Sequence, residues 1–510
     1  MSKKLLKSTS IFSGMTLLSR VVGFVRDLIL AQIFGAGLAF DSFAVAFRLP
    51  NFFRQLFGEG AFSQAFVPVL SEYSEKRSKE EVQHFLNHIA GVLSLILFLV
   101  VALFELCAPF IVMIFAPGFI EHPEKIHLTS QLLRVTSPYL LFISLTAFSG
   151  AILNTFGRFA IPAFSPTLLN LAMIMAAVFF SRYFHPQIMV LAWGVFAGGI
   201  AQLAVQLPAV KKLGLFPKLR LNFSDPGVRR VLKLMLPALF GVSVSQLSLF
   251  LDNFFASFLP TGSISWLYYS NRLTYFPLGL IGVALATVVL PQLSRDRAKA
   301  SVTSFSDTLD WALKIAFMVG FPAMIGLFML ASPILATLME HGKFNRFDVM
   351  MSARSLVTFS LGLPGFMAVK VLASGFYSHQ NIKTPVKVAA AAMMVNFIFN
   401  IILIFPLKHA GLALSTSISS AVNAGCLGYF LIKQKIYQPK MHWKKFILQL
   451  LIASIVMIAF LFFATPPVAQ WLHWGIFSRV WHLGFLISVA FILYVAFLWI
   501  VGIRVKDFKA

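Results

Sequence analysis

Apolar stretches long enough to cross a bilayer, about 20 residues each, recur along the whole of this chain. Ile89 to Phe115, Leu168 to Phe180, Met441 to Ala464 and Val480 to Gly502 are examples. The pattern predicts fourteen helices, over residues 9–34, 39–67, 85–116, 128–155, 160–181, 187–208, 228–258, 264–291, 308–338, 351–377, 384–405, 409–432, 443–465 and 479–502. Several exceed the bilayer thickness, so tilt, kinks or extension beyond the lipid are expected. Pro50, Pro138, Pro277 and Pro364 fall inside these segments and are candidate bends. The predicted fold class is an all-α polytopic membrane protein.

Composition agrees. Of 510 residues, 58% are hydrophobic and 12% charged, against roughly 25% charged in a soluble chain. The excess of 42 Lys and Arg over 18 Asp and Glu would suggest nucleic acid in a soluble protein. Here the cations sit in short loops between apolar runs, so a nucleic-acid partner is not expected. With the N-terminus cytoplasmic, 27 Lys or Arg fall in cytoplasmic segments and 6 in outer loops. That is the positive-inside asymmetry, and it places both termini in the cytoplasm. Cys107 and Cys426 lie far apart in apolar runs and read as buried thiols. The basic start, Met1 to Lys7, has no cleavage site after it, so the first helix reads as retained. Ser224-Asp225-Pro226 reads as an N-cap with proline at the first helical position.

A repeat is visible at one nearly constant offset. Pro68-Val69-Leu70-Ser71 matches Pro291-Gln292-Leu293-Ser294, Arg48-Leu49 matches Arg272-Leu273, Asp27 matches Asp252, and Pro162 matches Pro385. The offset spans six helices, so the two halves share one orientation. Parallel repeats of this kind occur in transporters. The expected organisation is an N-terminal lobe at 1–220, a second lobe at 221–436 and a C-terminal helix pair at 437–510.

The informative residues are charges inside the spans. The first span holds Arg20, Arg26 and Asp27, and the second Asp41, Arg48, Arg54 and Glu59. The seventh holds Asp252 and the eighth Arg272. A charge at bilayer depth costs roughly 2.5–3.5 kcal/mol, so it should face protein or water. Nine such residues on four spans that the repeat pairs off suggest one polar cavity between the halves. Arginine dominates the set, and its planar fork suits phosphate oxygens. The acids can hold the guanidiniums in place. Salt bridges that merely lock helices together fit the same residues. Lys370 is a further pathway candidate, and Lys314 reads as interfacial.

Enzyme signatures are absent. There is no GxxxxGK[ST], no HExxH and no CxxC, and the eleven histidines are scattered. No catalytic residue, metal or cofactor is expected. A cation exporter would want carboxylates without surplus arginine. An enzyme acting on polyprenyl phosphates would want an acidic pair or a histidine near the cytoplasmic face. A scaffold would not need nine charges inside its spans.

Several motifs carry a family resemblance. They are Ser19-Arg20-Val21-Val22-Gly23-Phe24-Val25-Arg26-Asp27, Phe34-Gly35-Ala36-Gly37 with Asp41-Ser42-Phe43, and Arg48-Leu49-Pro50-Asn51 with Glu59-Gly60-Ala61-Phe62-Ser63-Gln64. Gly150 to Thr155, Gly241 to Gln246, Pro291 to Ser294, Gly375 to Ser378 and Lys383 to Lys387 add to them. The chain resembles the MurJ (MviN) family of lipid II flippases, within the multidrug/oligosaccharidyl-lipid/polysaccharide exporter superfamily. The resemblance covers nearly the whole length. It implies two six-helix lobes, a groove for the polyprenyl tail at helices thirteen and fourteen, and alternating access in a bacterial inner membrane. It implies lipid II as the partner, with membrane lipids around it and wall-synthesis membrane proteins as further candidates. The family's cavity arginines fall on Arg20, Arg26, Arg54 and Arg272, its cavity acid on Asp41, and its gate on Ser19, Arg26, Asp27 and Ser265. The sequence departs at Asn271, where some relatives have Asp, at Tyr275, where some have Glu, and at Gln55, which replaces a second arginine.

Overall fold

The computed structural model describes residues 3–55, 60–279, 283–298, 301–439 and 443–504; the side chains at 3–13, 240–249, 283, 284, 286, 287 and 302 lie outside the description. Each of the fourteen predicted segments is helical over most of its described length. Two compact units divide the chain, Met1–Gly262 and Ser263–Ala510.

The first unit holds α1 (Lys3–Phe34), α2 (Leu38–Arg54), α3 (Ala61–Lys76), α4 (Lys79–Phe115), α5 (Pro123–Thr136), α6 (Tyr139–Thr155), α7 (Ala160–Met175), α8 (Met189–Lys212) and α9 (Pro226–Ala256). α1 lies along α7, α7 and α6 pack on α8, and α2 packs on α5. The core of α3, α4 and α6 is aromatic, with Phe62, Phe66, Phe85 and Phe148 buried together. Val228, Val231 and Met235 of α9 join that same cluster. Lipid is as apolar as leucine, so close backbone approach drives much of such packing. At Gly198 an added Cβ would lie 3.0 Å from Leu169 Cα on α7, so a larger residue there would press the two helices apart.

The second unit holds α10 (Ser263–Pro277), α11 (Val283–Ala298), α12 (Val302–Met329), α13 (Ala331–Leu338), α14 (Arg346–Ser360), α15 (Leu363–Ser378), α16 (Lys383–Leu407), α17 (His409–Lys433), α18 (Trp443–Ala464), α19 (Val468–His473) and α20 (Ile476–Ile500). Leu309, Leu313, Met367, Val371, Phe376, Leu427 and Leu431 form the core of α12, α15 and α17. The C-terminal pair α18 and α20 packs together and against α12 and α13. Polar contacts pin it there. Trp443 Nε1 donates to Asp310 Oδ1 at 2.8 Å, Trp471 Nε1 to Thr337 Oγ1 at 3.1 Å, and Tyr494 to the Met318 carbonyl at 2.9 Å.

Prolines explain where spans break. Pro138 caps α6 and splits the fourth span, Pro364 opens α15 and splits the tenth, and α10 ends at Pro277. A proline removes one ladder bond and restricts the residue before it. Pro50 stays inside α2. Among the described residues, nine helices or continuous pairs are apolar enough to span a bilayer, and α14–α15, bent by 41°, makes a tenth. The four predicted spans outside this set are the first, second, seventh and eighth. These are the four that carry the nine charges.

Candidate functional site

In the first unit, α1 and α7 enclose an arginine. Arg26 and Asp27 are neighbours in sequence and both are buried, at 3% and 1% exposure. The guanidinium donates to Asp27 Oδ1 from Nε at 2.9 Å and from Nη2 at 2.6 Å. Its Nη1 donates to Asn170 Oδ1 on α7 at 2.8 Å. Asn170 Nδ2 in turn donates to the Ser19 carbonyl at 3.2 Å. Gly23 leaves room for that asparagine. A buried cation here meets both conditions for survival, an opposite charge and satisfied N–H groups. In this geometry the fork of Arg26 is engaged by protein.

A second polar group belongs to α2. Asp41, 1% exposed, accepts from the Gly262 backbone N–H at 2.6 Å. Arg48 donates through Nη1 to Asn253 Oδ1 on α9. Arg54 Nε donates to Asn51 Oδ1, one turn back, at 2.8 Å. Arg48, Asn51, Gln55 and Asn253 line one pocket with Phe52, Phe115 and Phe250. It pairs amide and guanidinium donors with aromatic walls. Asp252, beside Asn253 on α9, is half-buried. Arg20 is exposed on α1. Glu59 lies outside the described residues, as do the side chains of Gly241 to Gln246.

In the second unit, Arg272 is exposed on α10, its guanidinium over the Tyr268 ring at 5.7 Å. Ser265 is fully buried in the first turn of α10. Tyr275 stacks on Phe366 at 5.9 Å. Lys370 is exposed on α15. Lys314 rests over the rings of Trp443 and Phe446 at 6.0 and 5.9 Å, as suits an interfacial lysine.

The structure therefore brings together Ser19, Arg26 and Asp27, while Arg48 and Arg54 each bond a different asparagine, Asn253 and Asn51. Sequence reasoning missed the three asparagines that hold them. Asn170 is the single amide of α7, and Asn253 is one of two in α9, with Gln246. That rarity was a usable signal, because a buried amide at span depth needs a specific partner.

Outside the spans, Glu72 accepts from Arg230 at 2.8 Å. The Arg230 hydrogen bond, then its charge, holds the Glu72 carboxyl below the usual carboxylate range. Asp225 caps α9 as the sequence predicts, accepting from Gly227 and Val228 N–H at 2.8 and 3.1 Å.

Comparisons with known proteins agree in fold and family. A family model described as lipid II flippase MurJ matches residues 30–496. A protein of Vibrio cholerae named probable lipid II flippase MurJ is 44% identical over 100% of this chain and 98% of its own length. One of Burkholderia cenocepacia named lipid II flippase MurJ is 38% identical over 98% of this chain and 97% of its own. A solved structure described as lipid II flippase MurJ in an inward closed conformation is 30% identical, with TM-score 0.82, covering 96% of this chain and 98% of that one. An inward-facing multidrug transporter of the MOP superfamily, 14% identical with TM-score 0.68, shares the fold over 84% of this chain and 97% of its own. With the family model matched over most of its length and such relatives over all of it, the chain belongs to the MurJ family of lipid II flippases.

Proposed function

We propose that this chain carries lipid II, the undecaprenyl-diphosphate-linked disaccharide pentapeptide, from the cytoplasmic to the periplasmic leaflet of a bacterial inner membrane for peptidoglycan synthesis. The step is alternating access, with no bond made or broken. The observation that carries the reading is the placement of five arginines on the first, second and eighth predicted spans of a chain from this family. A diphosphate is the headgroup feature that such forks match in charge and geometry.

Arg20, Arg26, Arg54 and Arg272 take up the diphosphate, with Asp41 setting their arrangement. Ser19, Asp27 and Ser265 act at the gate, and Arg48, Glu59, Asp252 and Lys370 shape the path. The bonds of Arg26 to Asp27 and Asn170 support a stored state. Binding would exchange those acceptors for phosphate oxygens, so the buried cation is never left unpaired. Both termini are cytoplasmic, and the lobes run over 1–220 and 221–436 with the helix pair 437–510 beside them. The positive-inside count supports that orientation.

Depletion of the protein in growing cells, followed by assay of lipid II in each leaflet, tests the function. Lipid II should accumulate in the inner leaflet. An unchanged distribution, with wall synthesis continuing, would refute it.

A further inference from the structure

The linker between α8 and α9 has a composition that neither a solvent loop nor a buried connection needs. It runs without helix from Leu215 to Asn222 and turns into α9 at Asp225. Four large apolar side chains stand out of it: Phe216, Leu219, Leu221 and Phe223 are 45%, 69%, 60% and 49% exposed. Between and beside them Lys211, Lys212, Lys218 and Arg220 are also exposed. Residues 211–233 hold seven Lys or Arg and one acid. That acid, Asp225, is engaged by the α9 N-terminus and by His88 at 3.0 Å.

The segment is fixed in place. Asn87 of α4 accepts twice from its backbone, through Oδ1 from Lys218 N–H at 2.6 Å and through its carbonyl from Arg220 N–H at 3.2 Å. Gln83 Nε2 donates to the Phe216 carbonyl at 2.9 Å. A Cβ at Gly91 would lie 2.3 Å from the Arg220 carbonyl oxygen, so glycine is what lets the linker lie on α4. Gly91 also sets the depth. It lies two residues into the apolar run Ile89 to Phe115, about 3 Å at the helical rise. Arg220 is therefore level with the start of that apolar run, where headgroups would meet acyl chains.

We propose that this linker is a docking platform for anionic phospholipid on the leaflet it faces. Leu219 and Leu221, with the two phenylalanines, enter the acyl boundary. Lys218, Arg220, Lys211 and Lys212 take the lipid phosphates, their stems snorkelling along the apolar side chains. Charge complementarity commits the surface to an anionic partner, and its level along α4 commits it to a lipid. The inference rests on the chain spanning a membrane and is independent of lipid II flipping, so the two readings fail separately.

The test uses the full chain with Cys107→Ser, Cys426→Ser and Leu219→Cys, labelled with an environment-sensitive fluorophore. It is placed in nanodiscs of phosphatidylcholine, with or without phosphatidylglycerol. The label should be blue-shifted and shielded from a neutral aqueous quencher, more so with phosphatidylglycerol. In native mass spectrometry of the purified chain, Lys218→Gln and Arg220→Gln should each lower phosphatidylglycerol retention about fivefold. Asn87 holds these residues by their backbone, so the substitutions leave the linker anchored. A label equally open to quencher in both nanodiscs, equal shielding in both, or unchanged retention in both variants would overturn the proposal. So would shielding that appears only when cytosolic protein is added, which would mark a protein surface.

Discussion

Arg479 is an anchor of the C-terminal helix pair. It stands near the start of α20 and is 6% exposed. Its Nη1 donates to Glu340 Oε2 at 2.5 Å and to the Ala336 carbonyl at 2.9 Å; Nε and Nη2 donate to the Trp474 and Leu472 carbonyls, each at 2.9 Å. Arg479→Met keeps much of the volume and removes all four bonds. Breaking a buried pair by removing one partner costs about 3–5 kcal/mol. Glu340 keeps a longer contact to the exposed Arg346, at 3.4 Å, so the loss should fall near the lower end, about 3 kcal/mol. Glu340→Gln alone should cost less, because it leaves a neutral acceptor. The double variant should recover about 1–2 kcal/mol of the Arg479→Met loss, since no carboxylate is then stranded. The assay is denaturant titration in micelles, read by Trp471 and Trp474, which pack on each other and on His482. A single variant within about 0.5 kcal/mol of the parent, or a double variant no better than Arg479→Met, would refute the clamp.

Other outcomes follow from the same geometry. Arg26→Ala and Arg272→Ala should abolish complementation without loss of protein, and Lys at either position should restore it only in part, because the bidentate fork is lost; full activity of both Ala variants would remove them from the site. Cysteines placed near Glu124 and Asn345 should label from outside in intact cells, and those near Arg77 and Lys212 should not; the reverse would overturn the orientation. The Glu72–Arg230 pair should add a small stability increment above the ordinary carboxylate pKa, lost as pH falls through the lowered value. Glu72→Gln should therefore match the parent in acid and fall slightly below it at neutral pH. A stability difference that grows in acid would contradict that sign.

Much of the fold was legible because one rule dominates it. A bilayer demands about twenty apolar residues per helix and internally satisfied backbone, and ten of the fourteen predicted segments meet the first demand among the described residues. The breaks were half legible. Pro138, Pro277 and Pro364 mark helix ends, yet Pro50 stays inside α2. The kink at Cys107, two residues before Pro109, went unread. In the site, charge at span depth picked out Arg26, Asp27, Asp41 and Arg48 at once. It could not say which acceptor each would find, since Asn170 lies 144 positions from Arg26 and Asn253 lies 205 from Arg48. Such pairs are set by helix packing. α9 shows the same limit: the repeat groups it with the later helices, while Val228, Val231 and Met235 bury their side chains with α3 and α4.

The most direct test of lipid II transport uses the purified chain in liposomes carrying labelled lipid II, with no nucleotide and an imposed membrane potential. One charge crossing 100 mV gains about 2.3 kcal/mol. A headgroup near −2 gains up to about twice that on leaving a negative compartment. The nine charges on the first, second, seventh and eighth predicted spans sum formally to +1, so the same field would return the empty carrier. Lipid II should move out of the negative side, faster as the potential rises, and Arg26→Ala should stop it. Lipid II that stays in its leaflet at every potential, or that moves only when ATP is supplied, would contradict the account.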